Sequence, residues 1–571
     1  MKYITVGINI LLILTFFQRC ANPGVVSGGP KDTIPPILIS SYPVDQTLNF
    51  NERTLVLEFN ERIAADKIKQ NLIISPTTKV KFKHFIKKNT ITLQFEEPFQ
   101  DTTTYTFNFF DAITDITEKN PPVNLVLAFS TGDFIDSLKI FGTVTDLMTD
   151  KRIEKATVAL YAQTDSTNIF QDTPTYFTTT TKSGSFAINN IKYGLYKLIA
   201  FEDANKNLSF DEDEEQYAFQ PGFINPMNLT DSLRFYSYQI DASELKVNSA
   251  RINGRYYEIR YSKQISNYKI LDTDSVLTIN SSLSDDQESL RFYNPFQGYP
   301  KDSIRVIIEV IDSLKNTTVD TTYIKFQESS RKKVEFTVQA NPSSTKTIKP
   351  EQSLLLKFTK PVKTWDLSKF KVVLDSMNSF YLQNLEVKWN HNYTEALFPQ
   401  LIKRKELLDS IALWDKTIQI DSLNPDTLNV IRKTLLSKYD KFSYQLNIDK
   451  QSFISIEDDT LAALDLKYKF PNTENLGTMT VNVKSDSLQY FIQLISAQKK
   501  EVQQQLYSCS TCRFTDIPPG KYTIRFLIDS NKDSIWSVGN IRKDLPPEPV
   551  KHFPKETEVR SNFDMLLDIS L

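Results

Sequence analysis

The sequence predicts an all-β protein built as a series of antiparallel β-sandwiches, and three observations carry that prediction. Apolar residues alternate with polar ones over most of the chain, as in TLVLEF at 54–59 and TITLQF at 90–95. This is the pattern of half-buried strands. The 571 residues exceed one ordinary core, since domains hold roughly 100 to 200 residues. The third observation is an internal repeat.

The repeat shows that the chain carries a two-domain module twice. LVLEFNERI at 55–63 returns as LLLKFTKPV at 354–362. Likewise GLYKLIAFEDANKN at 194–207 returns as GKYTIRFLIDSNKD at 520–533. Because repeated segments form repeated structural units, we expect two copies of each domain type, with a separate β-unit between the modules.

The N-terminus predicts an export signal with a lipid anchor. A short apolar run from Ile4 to Phe17 precedes Cys20 and is shorter than the ~20 residues of a membrane span. This is the pattern of bacterial lipoprotein signals, in which the cysteine is acylated, although Arg19 stands where a small residue is usual. The alternative is a secreted protein with an incidental cysteine. Since no acidic run directly follows Cys20, the periplasmic face of the outer membrane is favoured over the cell surface.

Composition argues against several functional classes. The 67 Lys and Arg balance 69 Asp and Glu, so no overall field attracts nucleic acid. Only 14 Gly are present, and no dinucleotide-binding or phosphate-binding loop motif occurs. The three histidines, His84, His391 and His552, fall in different predicted domains and suggest no catalytic set. We therefore predict no enzymatic activity and no nucleic-acid partner.

The segment DANKNLSFDEDE at 203–214 has the ligand spacing of a twelve-residue calcium loop. Leu208 stands where such a loop usually has glycine, so an identical turn is not expected. The alternative is a turn in which Asx side chains satisfy their own backbone. The candidate ligands are Asp203, Asn205, Asn207, Ser209, Asp211 and Glu214.

The repeat of this loop is a weaker calcium candidate. Asp529, Asn531 and Asp533 keep the first three ligand positions, but Ser537 and Asn540 stand at the ninth and twelfth. Fewer carboxylates predict a lower affinity. In both loops we expect calcium to stiffen the domain and not to activate water.

Cys509 and Cys512 form a C-x-x-C pair for which a disulfide is the favoured interpretation. Thioredoxin-like use requires a helix N-terminus near a βαβ pattern, which is not predicted here. Zinc would require two further ligands, and His552, the nearest histidine, is about forty residues away. So short a loop predicts little stabilisation.

An insertion at 399–441 interrupts the second copy of the first domain type and has apolar residues at helical spacing. It predicts either a helical hairpin that covers a sheet edge or a docking element for a partner. Trp365, Trp389 and Trp414 also fall in this copy. Clustered exposed Trp and Tyr side chains on one sandwich face would favour glycan binding.

The stretches CANPGVVSGGPKDTIPP, FNERI and GKYTIRFLIDSNKDSIWSVGN resemble the Ig-like-domain lipoproteins of Bacteroidota. The first domain is similar to the bacterial Ig-like domains of S-layer proteins. The unit containing FGTVTD, ATVALYA and GSFAINNI resembles carboxypeptidase-regulatory or transthyretin-like β-sandwiches. The resemblance implies a cell-envelope lipoprotein and supplies no catalytic motif.

Together these observations predict an outer-membrane lipoprotein that acts as a structural or binding scaffold for envelope proteins. The alternative is a surface lipoprotein that binds glycan or peptidoglycan. The predicted segments are a signal peptide at 1–19, a tether at 20–34, an Ig-like domain at 35–135, a transthyretin-like domain at 136–225, a β-domain at 226–332, a second Ig-like domain at 333–472 with the helical insertion, and a second transthyretin-like domain at 473–571.

Overall fold

The computed structural model confirms the all-β class, with antiparallel sheets along nearly the whole described chain. Cys20 and residues 400–441 of the predicted insertion, including Trp414, lie outside the described residues. No helix among the residues that the structure describes is long and apolar enough to cross a bilayer. The structure describes residues 32–571 apart from 79, 347–351, 374–378, 383, 400–442, 470–475 and 486–487.

The chain divides into two compact units. Of the described residues, the first unit contains 32–144, 152–210 and 223–235, and the second contains 145–151, 211–222 and those from 236 to 571. The boundaries of the five-domain division stay a prediction.

The first Ig-like copy packs two main sheets around one core. Its sheets have the strand orders β1-β2-β6-β5 and β4-β7-β9, with β3 paired to β8. Leu55, Leu57 and Phe59 are fully buried because alternate residues of β2 face the core. The elements are β1 Leu38–Tyr42, β2 Thr54–Phe59, β3 Ile63–Ala64, α1 Ile68–Asn71, β4 Ile73–Ser75, β5 Phe82–Lys87, β6 Thr90–Phe95, β7 Thr104–Asn108, β8 Thr114–Asp115 and β9 Val126–Ser130.

The next part of the chain is also all-β. In the first unit, β11 lies between β12 and β14, and β10 pairs with β13, all antiparallel. Nearly every residue of β11 and β14 is buried, as expected for strands covered on both faces. The strands are β10 Leu138–Asp146, β11 Thr157–Ala162, β12 Tyr176–Thr179, β13 Ser185–Ile191, β14 Tyr196–Phe201, β15 Tyr217–Phe219 and β16 Leu233–Ser237, with a 3-10 turn at Pro226–Asn228.

A β-sandwich follows between the two repeated modules. Its sheets are β17-β18-β21-β20 and β19-β22-β23. Val306, Ile308 and Val310 of β22 are fully buried in its core. The strands are β17 Val247–Asn253, β18 Tyr256–Tyr261, β19 Ile265–Thr273, β20 Asn280–Leu283, β21 Ser289–Tyr293, β22 Ile304–Asp312 and β23 Thr317–Ile324.

The second Ig-like copy repeats the strand order of the first and adds one edge strand, β28, to one sheet. Its sheets are β24-β25-β30-β29 and β28-β27-β31-β33, with β26 paired to β32. The elements are β24 Val338–Asn341, β25 Leu354–Phe358, β26 Val362–Trp365, a 3-10 turn at Leu367–Lys369, β27 Phe370–Val373, β28 Ser379–Tyr381, β29 Lys388–Trp389, β30 Glu395–Phe398, β31 Ser443–Ile448, β32 Phe453–Ser455 and β33 Leu464–Lys469.

The last sandwich has the sheets β37-β34-β40 and β36-β35-β38-β39. Its strand β40 runs parallel to β34. The elements are β34 Gly477–Lys484, β35 Gln489–Ser496, β36 Val502–Tyr507, β37 Thr511–Ile517, β38 Gly520–Asp529, a 3-10 turn at Ile541–Lys543, β39 Val550–Val559 and β40 Asp564–Ser570.

Candidate functional sites

The first predicted calcium loop is closed by its own Asx side chains. The Asp203 carboxylate accepts hydrogen bonds from the backbone N–H of Asn207 and Leu208, each at 3.1 Å. Asn205 Oδ1 accepts from Asn207 N–H at 3.0 Å, and Asn207 Oδ1 accepts from Ser209 N–H at 2.7 Å. The side chains of Asp203, Asn205 and Asn207 thus gather on one turn, as both the metal and the Asx-turn interpretations require.

Leu208 adopts the backbone conformation of the glycine that is usual at this position, although its side chain led us to expect a different turn. Its φ of 58° lies in the left-handed region that glycine favours. The backbone therefore makes this turn with leucine, and the hydrogen bond from Leu208 N–H to Asp203 helps to hold it.

The far end of the first loop uses a glutamate that the spacing did not select. Glu214, predicted as the twelfth ligand, is exposed, whereas Glu215 is only 5% exposed. Glu215 Oε2 accepts a hydrogen bond from Asp211 N–H at 3.0 Å. Sequence reasoning missed Glu215 because a spacing template selects one position and carries no information on burial.

The second loop has the same hydrogen-bond pattern at an offset of 326 residues. The buried Asp529 carboxylate accepts from Asp533 N–H at 3.2 Å and Ser534 N–H at 2.9 Å. Asn531 Oδ1 accepts from Asp533 N–H at 3.0 Å. Ser534 has a φ of 65°, close to that of Leu208. The repeat seen in the sequence thus extends to individual hydrogen bonds.

Glu548 supplies a carboxylate at the far end of the second loop, where the calcium-loop spacing places Asn540. Asn540 Oδ1 instead caps the following 3-10 turn by accepting from Arg542 N–H at 3.0 Å. Glu548, 8% exposed, accepts hydrogen bonds from the backbone N–H of Ser530 and Ser537, each at 2.7 Å. Its carboxylate therefore ties both ends of the loop together.

Calcium binding stays a prediction for both loops. In the part of the chain that the structure describes, no group of three or more His, Cys, Asp or Glu side chains is arranged to hold a metal ion. Calcium can also be bound by amide, hydroxyl and carbonyl oxygens, which are not among these four side-chain types. What the geometry does supply is a rigid turn after β14 and after β38.

The sulfur atoms of Cys509 and Cys512 are joined in a disulfide at the start of β37. Cys512 is fully buried in the core of the last sandwich, and Cys509 packs against that core. The Tyr490 hydroxyl donates to the Cys509 carbonyl at 2.7 Å. These contacts hold the disulfide against the packed core of the last sandwich.

The three histidines occupy separate places. His84 lies on β5, and His552 lies on β39 with Nε2 2.9 Å from the Leu147 carbonyl oxygen. His391 follows β29, and its ring lies edge-on to Tyr268 at 5.2 Å. Partial burial lowers the pKa of His391, so its ring is neutral at pH 7.

Two of the three tryptophans of the second Ig-like copy lie together with a tyrosine. The ring centroids of Trp365 and Trp389 are 4.8 Å apart, and the Tyr393 ring lies 5.8 Å from Trp389 and 6.0 Å from Trp365. Trp365 is 40% and Tyr393 46% exposed. We call these three residues the aromatic cluster. Tyr393 was not singled out from the sequence.

A cavity of about 600 Å³ lies next to the aromatic cluster, between the second Ig-like copy and the sandwich formed by β17 to β23, which we call the middle sandwich. The middle sandwich contributes Tyr268 and Gln287 among others, and the Ig-like copy contributes Gln339, Asn341 and His391. Asn392 Nδ2 donates to the Tyr268 hydroxyl across the cavity wall at 2.9 Å. This volume is in the range of small-ligand sites.

Comparison with known proteins identifies the first domain. Residues 32–131 match the family described as bacterial Ig-like domain, which confirms that part of the predicted resemblance. The match covers a minority of the chain. No curated protein matches the sequence.

Solved structures that match this chain do so at very low identity and low TM-score. The Bacillus anthracis TIE protein is 9% identical over 96% of this chain and 75% of its own, with a TM-score of 0.12. The N-terminal part of the bacterial S-layer protein SbsC is 13% identical over 52% of this chain and 45% of its own, with a TM-score of 0.14. BcpA, the major pilin subunit of Bacillus cereus, is 10% identical over 76% of this chain and 98% of its own, with a TM-score of 0.12. We base no functional argument on these likenesses.

Proposed function

We propose that the protein is a non-catalytic scaffold of the bacterial cell envelope, held at the periplasmic face of the outer membrane by lipid on Cys20. Its bacterial Ig-like domain and the predicted export signal support an envelope location. The observation that carries the scaffold role is that, within each unit, successive sandwiches meet through directional hydrogen bonds and ion pairs. Such contacts fix the angle between domains, which a scaffold requires.

In the first unit these contacts join the Ig-like copy to the domain that follows it. Thr77 N–H donates to the Thr175 carbonyl at 2.7 Å. The Thr106 hydroxyl donates to Asn190 Oδ1 at 3.0 Å, and Asn190 Nδ2 donates to the Asp136 carbonyl at 2.8 Å. Asn190 thus connects a strand of the Ig-like sheet to the segment between the two domains.

In the second unit the last sandwich binds residues 145–151 and 211–222. Arg542 forms a charge-assisted pair with Glu212, with 2.8 Å between Nε and Oε2. The guanidinium of Arg525 donates to the Met148 carbonyl at 2.7 Å. Glu212 is only 8% exposed while the Arg542 side chain is 33% exposed, so the pair is partly shielded from solvent. Its charge-assisted hydrogen bonds fix its geometry better than those of a fully exposed pair.

The experiment that tests the anchor and the scaffold combines labelling with co-isolation. Wild type is expected to incorporate labelled palmitate and to sediment with outer membranes, and Cys20→Ala to lose both properties. Mild-detergent isolation should recover one outer-membrane protein with wild type. A still folded variant with 399–441 replaced by a short turn should lose that partner if the insertion docks it. No partner with either form would contradict the scaffold role.

Glycan binding is a second candidate function, and the aromatic cluster favours it. Trp365 and Tyr393 are both exposed and their rings lie 6.0 Å apart, so exposed aromatic side chains do cluster in this copy. Binding of the soluble full-length chain to immobilised envelope glycan is the direct measurement.

A further inference from the structure

The aromatic cluster belongs to the second Ig-like copy and not to the Ig-like fold as such. Tyr393 has a φ of 56°, and its carbonyl accepts from Val362 N–H at 2.9 Å. In the first copy, Lys88 has a φ of 57°, and its carbonyl accepts from Ile63 N–H at 3.3 Å. The same backbone corner therefore holds lysine in one copy and tyrosine in the other.

The other two positions of the cluster correspond in the same way. Trp365 lies three residues after Val362, as Asp66 lies three residues after Ile63. Trp389 and Ile86 each pair with the second residue of the neighbouring strand, β30 or β6. Since the first copy folds with Asp66, Ile86 and Lys88, the fold itself does not require three aromatic rings here.

The cluster has an exposed apolar surface and one buried donor without a hydrogen-bond partner. Trp365 and Tyr393 keep two-fifths or more of their surface in contact with solvent. Exposed neighbouring aromatic rings mark binding surfaces more often than scattered apolar residues do. Trp389 Nε1–H is buried and has no hydrogen-bond partner among the described residues, an unmet donor of the kind that calls for an explanation.

The chain connects the aromatic cluster directly to the cavity. Asn390, His391 and Asn392, which lie between Trp389 and Tyr393, line the cavity. Phe358 also lines it, and its ring lies 5.9 Å from Trp389 in a stacked arrangement. A ligand that spans both surfaces would therefore meet ring faces and then side-chain amides.

The cavity wall offers exposed side-chain amides. The side chains of Gln287, Gln339 and Asn341 line it, are open to solvent, and make no hydrogen bond to any described residue. Each amide can donate two hydrogen bonds and accept others, which matches adjacent hydroxyl groups. A lining of this kind suits a polyol better than an apolar molecule.

The charges of the lining favour an uncharged ligand. Lys357 and Glu395 are paired at 2.8 Å and cancel one another. Asp285, exposed at the rim, leaves a residual negative charge. The neutral ring of His391 adds no compensating cation. Anionic polymers would therefore be disfavoured.

We propose that the aromatic cluster and the adjoining cavity form one binding site for a neutral oligosaccharide of an envelope glycan. The apolar faces of pyranose rings pack on Trp365 and Tyr393, and the sugar hydroxyls bind the amides of Gln287, Gln339 and Asn341. This inference rests on the second candidate function and adds the location of the site and the charge class of its ligand.

The test is calorimetric titration of the full mature chain in detergent with uncharged hexasaccharides of glucose and of mannose. Trp365→Asp and Tyr393→Lys introduce the residues that the first copy carries, and Gln339→Ala removes one amide. We expect each aromatic substitution to weaken binding about tenfold, the size of one good aromatic contact, and Gln339→Ala to weaken it less. Tyr381→Ala is the matched control, because Tyr381 is 52% exposed on the other sheet of the same copy and should change nothing.

The outcomes separate the site from the function. If the hexasaccharides bind equally well to wild type and to folded Trp365→Asp and Tyr393→Lys proteins, the site is wrong while glycan binding stands. If wild type binds solubilised peptidoglycan strands and no uncharged hexasaccharide, the ligand class is wrong. If folded wild type binds neither the hexasaccharides nor peptidoglycan, both the site and glycan binding are overturned. Circular dichroism and thermal melting check that each variant is folded.

Discussion

The two Ig-like copies have the same architecture and different surfaces. Strands β1-β2-β6-β5 of the first correspond to β24-β25-β30-β29 of the second, and β3-β8 corresponds to β26-β32. Both bury alternate leucines of the second strand, for example Leu57 and Leu356. What is common to the copies is therefore what the fold needs, and what differs is available for function.

The copies also differ beneath the surface. Lys360 in the second copy is fully buried and forms ion pairs with Glu457, at 2.7 Å, and with Asp459. The first copy has Glu61 at the matching position, and burial together with the nearby Asp115 and Asp32 raises the pKa of Glu61. The same corner is thus stabilised by a cation in one copy only.

The largest effect expected from this difference is that of Lys360→Ala. Removal of the cation leaves Glu457 and Asp459 with only the more distant Lys333, whose Nζ lies 4.0 Å from Asp459, and we expect a loss of about 3 kcal/mol in the free energy of unfolding. Urea denaturation followed by tryptophan fluorescence is the measurement, because three of the four tryptophans lie in this copy. Lys363→Ala is the control: Lys363 pairs with Asp458 but is 53% exposed, and should cost under about 1 kcal/mol. Equal costs for the two variants would contradict the buried network.

A pair of core substitutions asks whether the two copies unfold separately. Leu57→Ala and Leu356→Ala each remove a fully buried side chain, and each should cost ~2–5 kcal/mol. The first copy contains no tryptophan, so only Leu356→Ala should shift the fluorescence transition. Hydrogen exchange of peptides covering 54–59 and 354–358 should show the complementary pattern. A fluorescence shift with Leu57→Ala would mean that the copies unfold cooperatively.

A pH dependence should distinguish the copies, because Asp115 of the first occupies the place of Ser455 in the second. Burial alone would raise the pKa of Asp115, but hydrogen bonds from Glu118 N–H, the Asn120 side chain and two further backbone N–H groups lower it overall. A lowered folded-state pKa means that this carboxylate stabilises the first copy above the unfolded value of ~3.9, and that the stabilisation is lost as pH falls through the folded pKa.

The measurement is hydrogen exchange between pH 5 and pH 3, corrected for the intrinsic exchange rate. Peptides near β8 should lose protection on acidification, and Asp115→Ser should have lower protection at pH 5 and a weaker dependence on pH. The matching peptides around β32 serve as an internal control. An unchanged pH dependence in Asp115→Ser would contradict the assigned role.

The strands could be predicted from the sequence because burial alternates locally. TLVLEF at 54–59 forms β2 over the same residues, and the repeat at 354–362 correctly indicated the matching strand β25. The features that could not be predicted depend on distant residues. Glu548 lies nineteen positions after Asp529, so no loop template contains it.

The aromatic cluster shows the same limit. The sequence shows that three tryptophans fall in the second Ig-like copy, but it does not show which of them meet. Trp365 and Trp389 are 24 residues apart and belong to different sheets. Tyr393 joins them because its own backbone is left-handed, with a φ of 56°, and turns the chain between β29 and β30. The cavity depends on how the middle sandwich packs on this copy, and no pattern within one strand encodes that packing.

The smallest effect is expected for substitutions in the aromatic cluster. The size of their effect on the free energy of unfolding shows whether the rings form a binding surface or part of the core. Trp365→Asp and Tyr393→Lys remove half-exposed rings at corners where the first copy folds with Asp66 and Lys88. Each should lower the free energy of unfolding by about 1 kcal/mol or less, the value of an exposed aromatic contact. Thermal melting of each variant beside Lys360→Ala gives the comparison on one scale. A loss as large as that of Lys360→Ala would mean that the rings stabilise the second copy itself, and the difference between the copies would then be one of packing.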